Sequence, residues 1–325
     1  MRLNNAESDA SNALSHALSG EGGDAASPSR VLLRDGPFAV AHHRCPPEDH
    51  RWQTENQVVT GHLVVFPWSV TMMRPDSREH FVADPNSVLF WNRGEVFRRQ
   101  LVADRGDESA LFAVDSSLAV EMLAAHDPSV RERPEAPFRV HRAPSEPRLY
   151  MLQASIMRAA MSGEAVDGVQ WQEATLALVR HAIRGAFAPA AQEGRRPAPA
   201  RRRMQREAVE ATRAFLASKW DQRVTLTDIA ERIGFSAYHL CRVFRAGTGR
   251  SLHEYLTQLR LRGALERMAS MPQVGLEAVA DSCGFANHSH LTRAFRGAFG
   301  VTPSAARRLV GEGRIGELRA GLALA

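Results

Sequence analysis

The stretch from Leu226 to Gly300 says nearly the same thing twice, and no other feature constrains the chain as tightly. Leu226-Thr-Asp-Ile-Ala230-Glu-Arg-Ile-Gly234-Phe235 lines up with Leu276-Glu-Ala-Val-Ala280-Asp-Ser-Cys-Gly284-Phe285. Leu240-Cys-Arg242-Val-Phe244-Arg245 lines up with Leu291-Thr-Arg293-Ala-Phe295-Arg296, and the copies close at Gly249 and Gly300. The offset is 50 residues before the phenylalanine and 51 after it, so the second copy carries one extra turn residue. Such self-similarity marks one supersecondary unit used twice.

Each unit reads as helix–turn–helix. Thr225 or Thr227 can cap a short helix whose apolar Leu226, Ile229, Ala230 and Ile233 recur at helical spacing. Gly234 ends it, where a residue without Cβ takes positive φ freely. Ser236 caps a second helix that turns Leu240, Val243 and Phe244 inward. Ala230 and Ala280 stand where two helices cross closely. This much is packing, and it specifies only two helices and a tight turn.

The opposite face of the second helix carries the chemistry. Tyr238, Cys241, Arg242 and Arg245 lie at i, i+3, i+4 and i+7, one exposed stripe; in the second copy Ser289, His290, Arg293 and Arg296 are read as its match. An arginine can fork onto guanine in the major groove, and the arginine one turn on can hold phosphate. One such stripe is as readily a solvated charged face as a DNA-reading one; two copies with arginine at both paired positions point to DNA. Between the copies Ser251 caps a run from Leu252 to about Ser270. At about 1.5 Å per residue this is a rod of roughly 28 Å. That is of the order needed to hold two recognition helices about 34 Å, one duplex turn, apart.

From roughly Arg206 to Arg308 the chain resembles the AraC/XylS-type bacterial transcription regulators. The most specific piece is Gly284-Phe285-Ala-Asn-His-Ser-His-Leu291-Thr-Arg-Ala-Phe295-Arg-Gly-Ala-Phe299-Gly300-Val-Thr302-Pro303-Ser304, which is similar to that family's C-terminal signature. The resemblance implies two recognition helices in successive major grooves of double-stranded DNA. Carried over by position, Tyr238, Cys241, Arg242, Ser289, His290 and Arg293 would face bases, and Arg245, Arg296, Arg250 and Arg260 would face phosphates. It also implies a small-molecule effector, a homodimer formed through helices at about 148–186, and RNA polymerase as a further partner.

Charge is unevenly shared. Residues 201–310 hold 18 lysines and arginines against 9 aspartates and glutamates, while the whole chain holds 41 against 36, so the remainder is mildly acidic. A basic C-terminal part is the footprint of a nucleic-acid binder. Three unpaired cysteines, Cys45, Cys241 and Cys283, suit a reducing compartment. There is no apolar leader, and the longest apolar run, Leu63 to Trp68, is too short to span a bilayer. The expected location is the cytoplasm, at the nucleoid, with no membrane partner.

Ahead of the repeat the texture is β. Short runs at Val31–Leu33, Phe38–His42, Val58–Phe66, Val70–Met73, Val88–Trp91, Val96–Leu101 and Ala110–Val114 are separated by turn residues such as Asp84-Pro85-Asn86. The expected fold is α+β: an N-terminal cupin-like β-barrel (jelly roll) with a helical hairpin, then an all-α domain with two helix-turn-helix units joined by a long helix. The boundaries read as a disordered segment at 1–29, a sensing and dimerising domain at 30–188, a linker at 189–203, the DNA-binding domain at 204–310 and a tail at 311–325. Phe66, Trp68, Met72, Phe90, Trp91 and Phe97 are the inward candidates for an effector pocket.

The rival reading is a cupin-type metalloenzyme with a helical interaction module behind it, resting on His42, His43, Cys45 and His50. Pro46 and Pro47 interrupt that cluster, and the ligand pattern of catalytic cupins is not found. No metal, no cofactor and no catalytic residue is therefore expected, and the chain is read as a non-enzyme. A DNA-repair alkyltransferase would need an activated cysteine, and Cys45, between arginine and proline, has no adjacent base.

Overall fold

The computed structural model describes residues 28–59, 61–76, 79–163, 167–187 and 199–323. Ten strands come first: β1 (Ser29–Asp35), β2 (Phe38–Cys45), β3 (Asn56–Gln57), β4 (His62–Pro67), β5 (Thr71–Pro75), β6 (Phe81–Ala83), β7 (Ser87–Trp91), β8 (Val96–Leu101), β9 (Asp107–Val114) and β10 (Arg142–Pro144). The antiparallel pairs β2·β9, β3·β8, β4·β7 and β5·β6 are those of one long hairpin folded over on itself. They make a six-stranded sheet, β1-β2-β9-β4-β7-β10, and a four-stranded one, β3-β8-β5-β6. No strand pairs across the two sheets among the described residues, so of the sandwich or small barrel that the strand spacing allows, the chain forms the open two-sheet sandwich and not the barrel.

Side chains alternate across a strand, and here both faces of the larger sheet are buried. On β4 and β7, Leu63, Val65, Leu89 and Trp91 enter the sandwich with Met73, Phe81 and Ala83 of the smaller sheet. Val64, Phe66, Val88 and Phe90 point the other way, under helices. Those helices are α1 (Ser116–Ala124) and the hairpin α2 (Pro147–Ser162) and α3 (Gly168–Ala186), whose Trp171 is fully buried edge-on to Phe38.

The C-terminal part is helical: α4 (Pro199–Ser218), α5 (Leu226–Ile233), α6 (Ala237–Thr248), α7 (Leu252–Ser270), α8 (Leu276–Ser282), α9 (His288–Phe299), α10 (Pro303–Gly311) and α11 (Ile315–Ala323). The repeat thus extends to a third helix per unit, α5-α6-α7 and α8-α9-α10. Both third helices are capped by a hydroxyl, Ser251 on Glu254 N and Thr302 on Ala305 N. A capping box at each of α5 and α7 fixes where those helices begin.

Several boundaries differ from the sequence expectation. Ser29 already belongs to β1; residues 1–27 lie outside the described residues. Of the linker at 189–203, residues 189–198 lie outside them too, while 199–203 form the first turns of α4. The tail is α11, which lays Ile315 and Leu318 against α2 and α3 and pairs Arg319 with Glu173. The two halves share one core: Leu149, Leu152 and Ile156 of α2 are buried together with Leu261, Leu265, Phe295 and Val310. The apolar residues of this hairpin, which the sequence allows either to meet a second copy or to pack on the chain's own β domain, are here packed against the chain's own sheet and C-terminal helices.

Candidate nucleic-acid interface

The two units build their exposed helices in the same way. In the first, Gly234 (φ 77°) donates to Ala230 O, and Phe235 N donates to the same carbonyl at 3.1 Å. In the second, Gly284 (φ 74°) and the Phe285 N to Ala280 O bond of 2.9 Å repeat that turn. A side chain at either glycine would be strained, since positive φ crowds Cβ against the carbonyl. Ser236 and Asn287 then cap α6 and α9 by accepting from His239 N and His290 N. Leu240, Val243 and Phe244 face inward on α6, and Leu291, Phe295 and Phe299 on α9.

The outer faces are open. Tyr238 is 81% exposed, and Cys241, Arg242, Arg245, Ser289, Arg293 and Arg296 are all exposed. On α9, His288, Ser289, Thr292, Arg293, Arg296 and Gly297 line an open concavity. Arg242 donates to His239 Nδ1 at 3.1 Å, which holds its guanidinium along the helix. Arg242, Arg245, Arg293 and Arg296 are exposed, and none of them forms an ion pair with a carboxylate among the described residues.

One stripe residue was misassigned. His290 directly precedes the buried Leu291, as His239 precedes Leu240, and both rings turn to the phenylalanine of their turn. The centroids lie 5.0 Å apart for Phe235–His239 and 5.4 Å for Phe285–His290. His290 is half-buried, and the residue matching Cys241 is Thr292, whose Oγ1 pairs with His288 Nε2 at 3.3 Å. The i, i+3, i+4, i+7 spacing counted from Ser289 itself reaches Thr292.

Arg250 and Arg260, expected on phosphate, are engaged inside the protein. Arg250 donates to Gln258 Oε1 at 2.5 Å. Arg260 donates to Trp220 O and Gln222 O, both at 2.9 Å, and its guanidinium lies on the open face of Gly284. Burial lowers the pKa of both arginines, as expected for cations drawn away from water. Arg260 therefore joins the loop before α5 to the turn of the second unit. Arg307 does the same for the loop before α8, through Pro272 O at 3.0 Å and Val274 O at 2.7 Å.

The six residues proposed for an effector pocket do not come together around one cavity but are split among three clusters. Phe66 and Phe90 lie under the helices, Trp91 stacks on Phe97 at 4.6 Å inside the sandwich, and Met72 faces the cluster around α4 and α6. Trp68 stands on His42 at 5.1 Å and donates to Gln153 Oε1 at 3.4 Å. The histidines behind the metalloenzyme reading are also apart in function. His42 pairs with Glu108 at 2.9 Å, His43 meets Asp107 and Arg99, and His50 sits at Asp49. No group of three or more histidine, cysteine or acidic side chains is placed to hold a metal among the described residues. Cys45 is fully buried and its thiol is pushed up to about 11 by that burial, the opposite of the lowered thiol pKa of an activated cysteine.

Two short helices of one repeat, each with an arginine-bearing outer face, define a paired helix-turn-helix protein. Residues 229–309 match the model of a helix-turn-helix domain. The Msm operon regulatory protein of Streptococcus mutans is 26% identical over 100 residues, 31% of this chain and 36% of that protein. The HTH-type transcriptional activator RhaS of Pectobacterium carotovorum is 28% identical over 103 residues, 32% of this chain and 37% of its own length. A solved structure of a probable AraC family transcriptional regulator from Rhodopseudomonas palustris is 25% identical, with 32% of this chain and 97% of that one covered at a TM-score of 0.31. The chain thus spans little more than a third of the length of these two curated relatives. The C-terminal module thus carries a helix-turn-helix domain.

Proposed function

We infer that the protein is a sequence-specific DNA-binding transcription regulator that lays α6 and α9 into neighbouring major grooves. The observation that carries this is the repetition of an exposed arginine pair, Arg242/Arg245 and Arg293/Arg296, on two equivalent helices. Arg242 and Arg293 read bases, together with Tyr238, Cys241, Ser289 and Thr292; Arg245 and Arg296 hold phosphate. Because Tyr238 and Cys241 stand where the second unit has Ser289 and Thr292, the bound site is not palindromic within one monomer. The two names among its curated relatives, an operon regulatory protein and a transcriptional activator, agree with this reading.

The N-terminal sandwich acts as the sensing half, and its interleaved strand pairs favour a double-sheet jelly roll. A change there on binding an effector would reach DNA through the shared core. The protein works at the nucleoid and performs no catalysis. Selection of duplexes from a random pool by the full chain tests the reading: an enriched two-part motif is expected, and binding of all duplexes alike at physiological salt would overturn it.

A further inference from the structure

The connecting helix α7 is gripped at its middle by a turn of the N-terminal sandwich. Asn86, 2% exposed, spans two points of α7 seven residues apart. Its Nδ2 donates to Tyr255 O at 3.0 Å and its Oδ1 accepts from Arg262 Nη1. The Tyr255 hydroxyl donates to Asp84 Oδ2, while Asp84 Oδ1 accepts from Asn86 N at 3.0 Å and Ser87 Oγ at 2.9 Å, so the turn that presents Asn86 is itself braced. Arg262, 1% exposed, donates a second bond to Ser145 O at 2.5 Å and lies over the Tyr150 ring at 5.1 Å. A cation held there by neutral dipoles keeps its place only while those acceptors remain.

Each helix-turn-helix unit is also tied to a different part of the same N-terminal half. The first is tied through α4, where Glu210 accepts from Val82 N and from Arg142. The second is tied through the core it shares with α2. A lone rod helix would set only the distance between units; three attachments to one body also set their rotation. We propose that Asn86 and Arg262 are specificity-determining positioning residues, which make the N-terminal sandwich the template for the spacing and phase at which α6 and α9 meet DNA. The spacing a duplex must offer is then a property of the whole chain, although neither residue approaches the base-facing stripes.

The template itself is tested without DNA; only its consequence rests on the DNA-binding reading. In the full chain, spin labels on exposed Cys241 and on a cysteine introduced by Ser289→Cys report the separation of α6 and α9. The wild-type background gives a narrow distance distribution. Asn86→Ala combined with Tyr255→Phe broadens it about twofold or more, and Tyr255→Phe alone, which keeps the ring against Phe244, broadens it less in the same direction. An unchanged distribution in variants that retain the wild-type circular dichroism spectrum overturns the proposal. On duplexes selected by the wild-type chain, one base pair inserted between the two half-motifs should carry a penalty about tenfold smaller for the double variant than for the wild type. Equal penalties overturn the proposal as well. Failure to select any duplex would sink the DNA-binding reading and leave the distance result standing by itself.

Discussion

Arg142 and Glu210 meet fork to fork: Nη1 and Nη2 of the arginine each reach a carboxylate oxygen at 2.7 Å, across the boundary between β10 and α4. The Glu210 side chain is 4% exposed, so its charge depends on this partner and on Val82 N. Arg142→Ala should cost about 3 kcal/mol in urea unfolding, because a buried carboxylate is left unpaired. Arg142→Met with Glu210→Leu should recover most of that. Burial raises the Glu210 carboxyl pKa, but the hydrogen bond and charge of Arg142 outweigh it and leave the pKa below normal. The pair therefore stabilises above the ordinary glutamate range and is lost as pH falls through the lowered value. The gap between wild type and Arg142→Ala should close on acidification.

Glu266 behaves in the opposite sense. Burial lifts its carboxyl to about 7, against a hydrogen bond from Tyr150 that lowers it and the Glu108 charge that raises it. The folded state holds this proton more tightly than the unfolded chain does. Stability from this group is complete below the ordinary value of 4.5 and declines as pH rises toward about 7. Glu266→Gln should match the wild type near the lower limit and melt at a higher temperature than it above neutrality. Thermal scans across that range that keep the two proteins parallel would contradict this assignment.

The arginines should separate into three kinds. Arg242→Ala or Arg293→Ala should weaken cognate binding by about 1–3 kcal/mol and relax one base position. Arg245→Ala or Arg296→Ala should weaken all duplexes alike and reduce the salt slope by about 1. Arg260→Ala, whose guanidinium is spent on Trp220 O and Gln222 O, should lower thermal stability and leave the salt slope unchanged. Titrations at several salt concentrations distinguish the three.

Gly263 faces the Trp220 ring so closely that a Cβ would overlap it. Gly263→Ala should destabilise by about 1–3 kcal/mol despite alanine's better helix propensity. Adding Trp220→Leu should return part of the loss. A Gly263→Ala protein more stable than the wild type would show that the ring moves aside freely.

The exposed stripes of α6 and α9 were legible in the sequence because they combine a 3.6-residue period with polar side chains, and a repeat supplied the internal control. His290 falls off the stripe: the offset of 51 that takes Tyr238 to Ser289 takes Cys241 to Thr292, and His290 answers instead to His239. The strand faces were not legible: His62 to Pro67 is buried along its whole length, so no alternation tells which of Leu63, Val64, Val65 and Phe66 enters the sandwich. The grip on α7 was hidden for another reason. Asp84 and Asn86 read as ordinary turn residues, and nothing in the helical spacing singles out Arg262; only the tertiary fold shows that they are buried together. For the same reason Arg250 and Arg260 read as phosphate ligands.

The shared core has a consequence for how the chain is made. Leu149, Leu152 and Ile156 emerge from the ribosome more than a hundred residues before Leu261, Phe295 and Val310, which cover them. Throughout that interval α2 presents a greasy flank with nothing yet synthesised to shield it, a state prone to aggregation. Recombinant yield should therefore respond to holdase chaperones and slowed translation, and versions truncated after the hairpin should precipitate where the 325-residue chain does not.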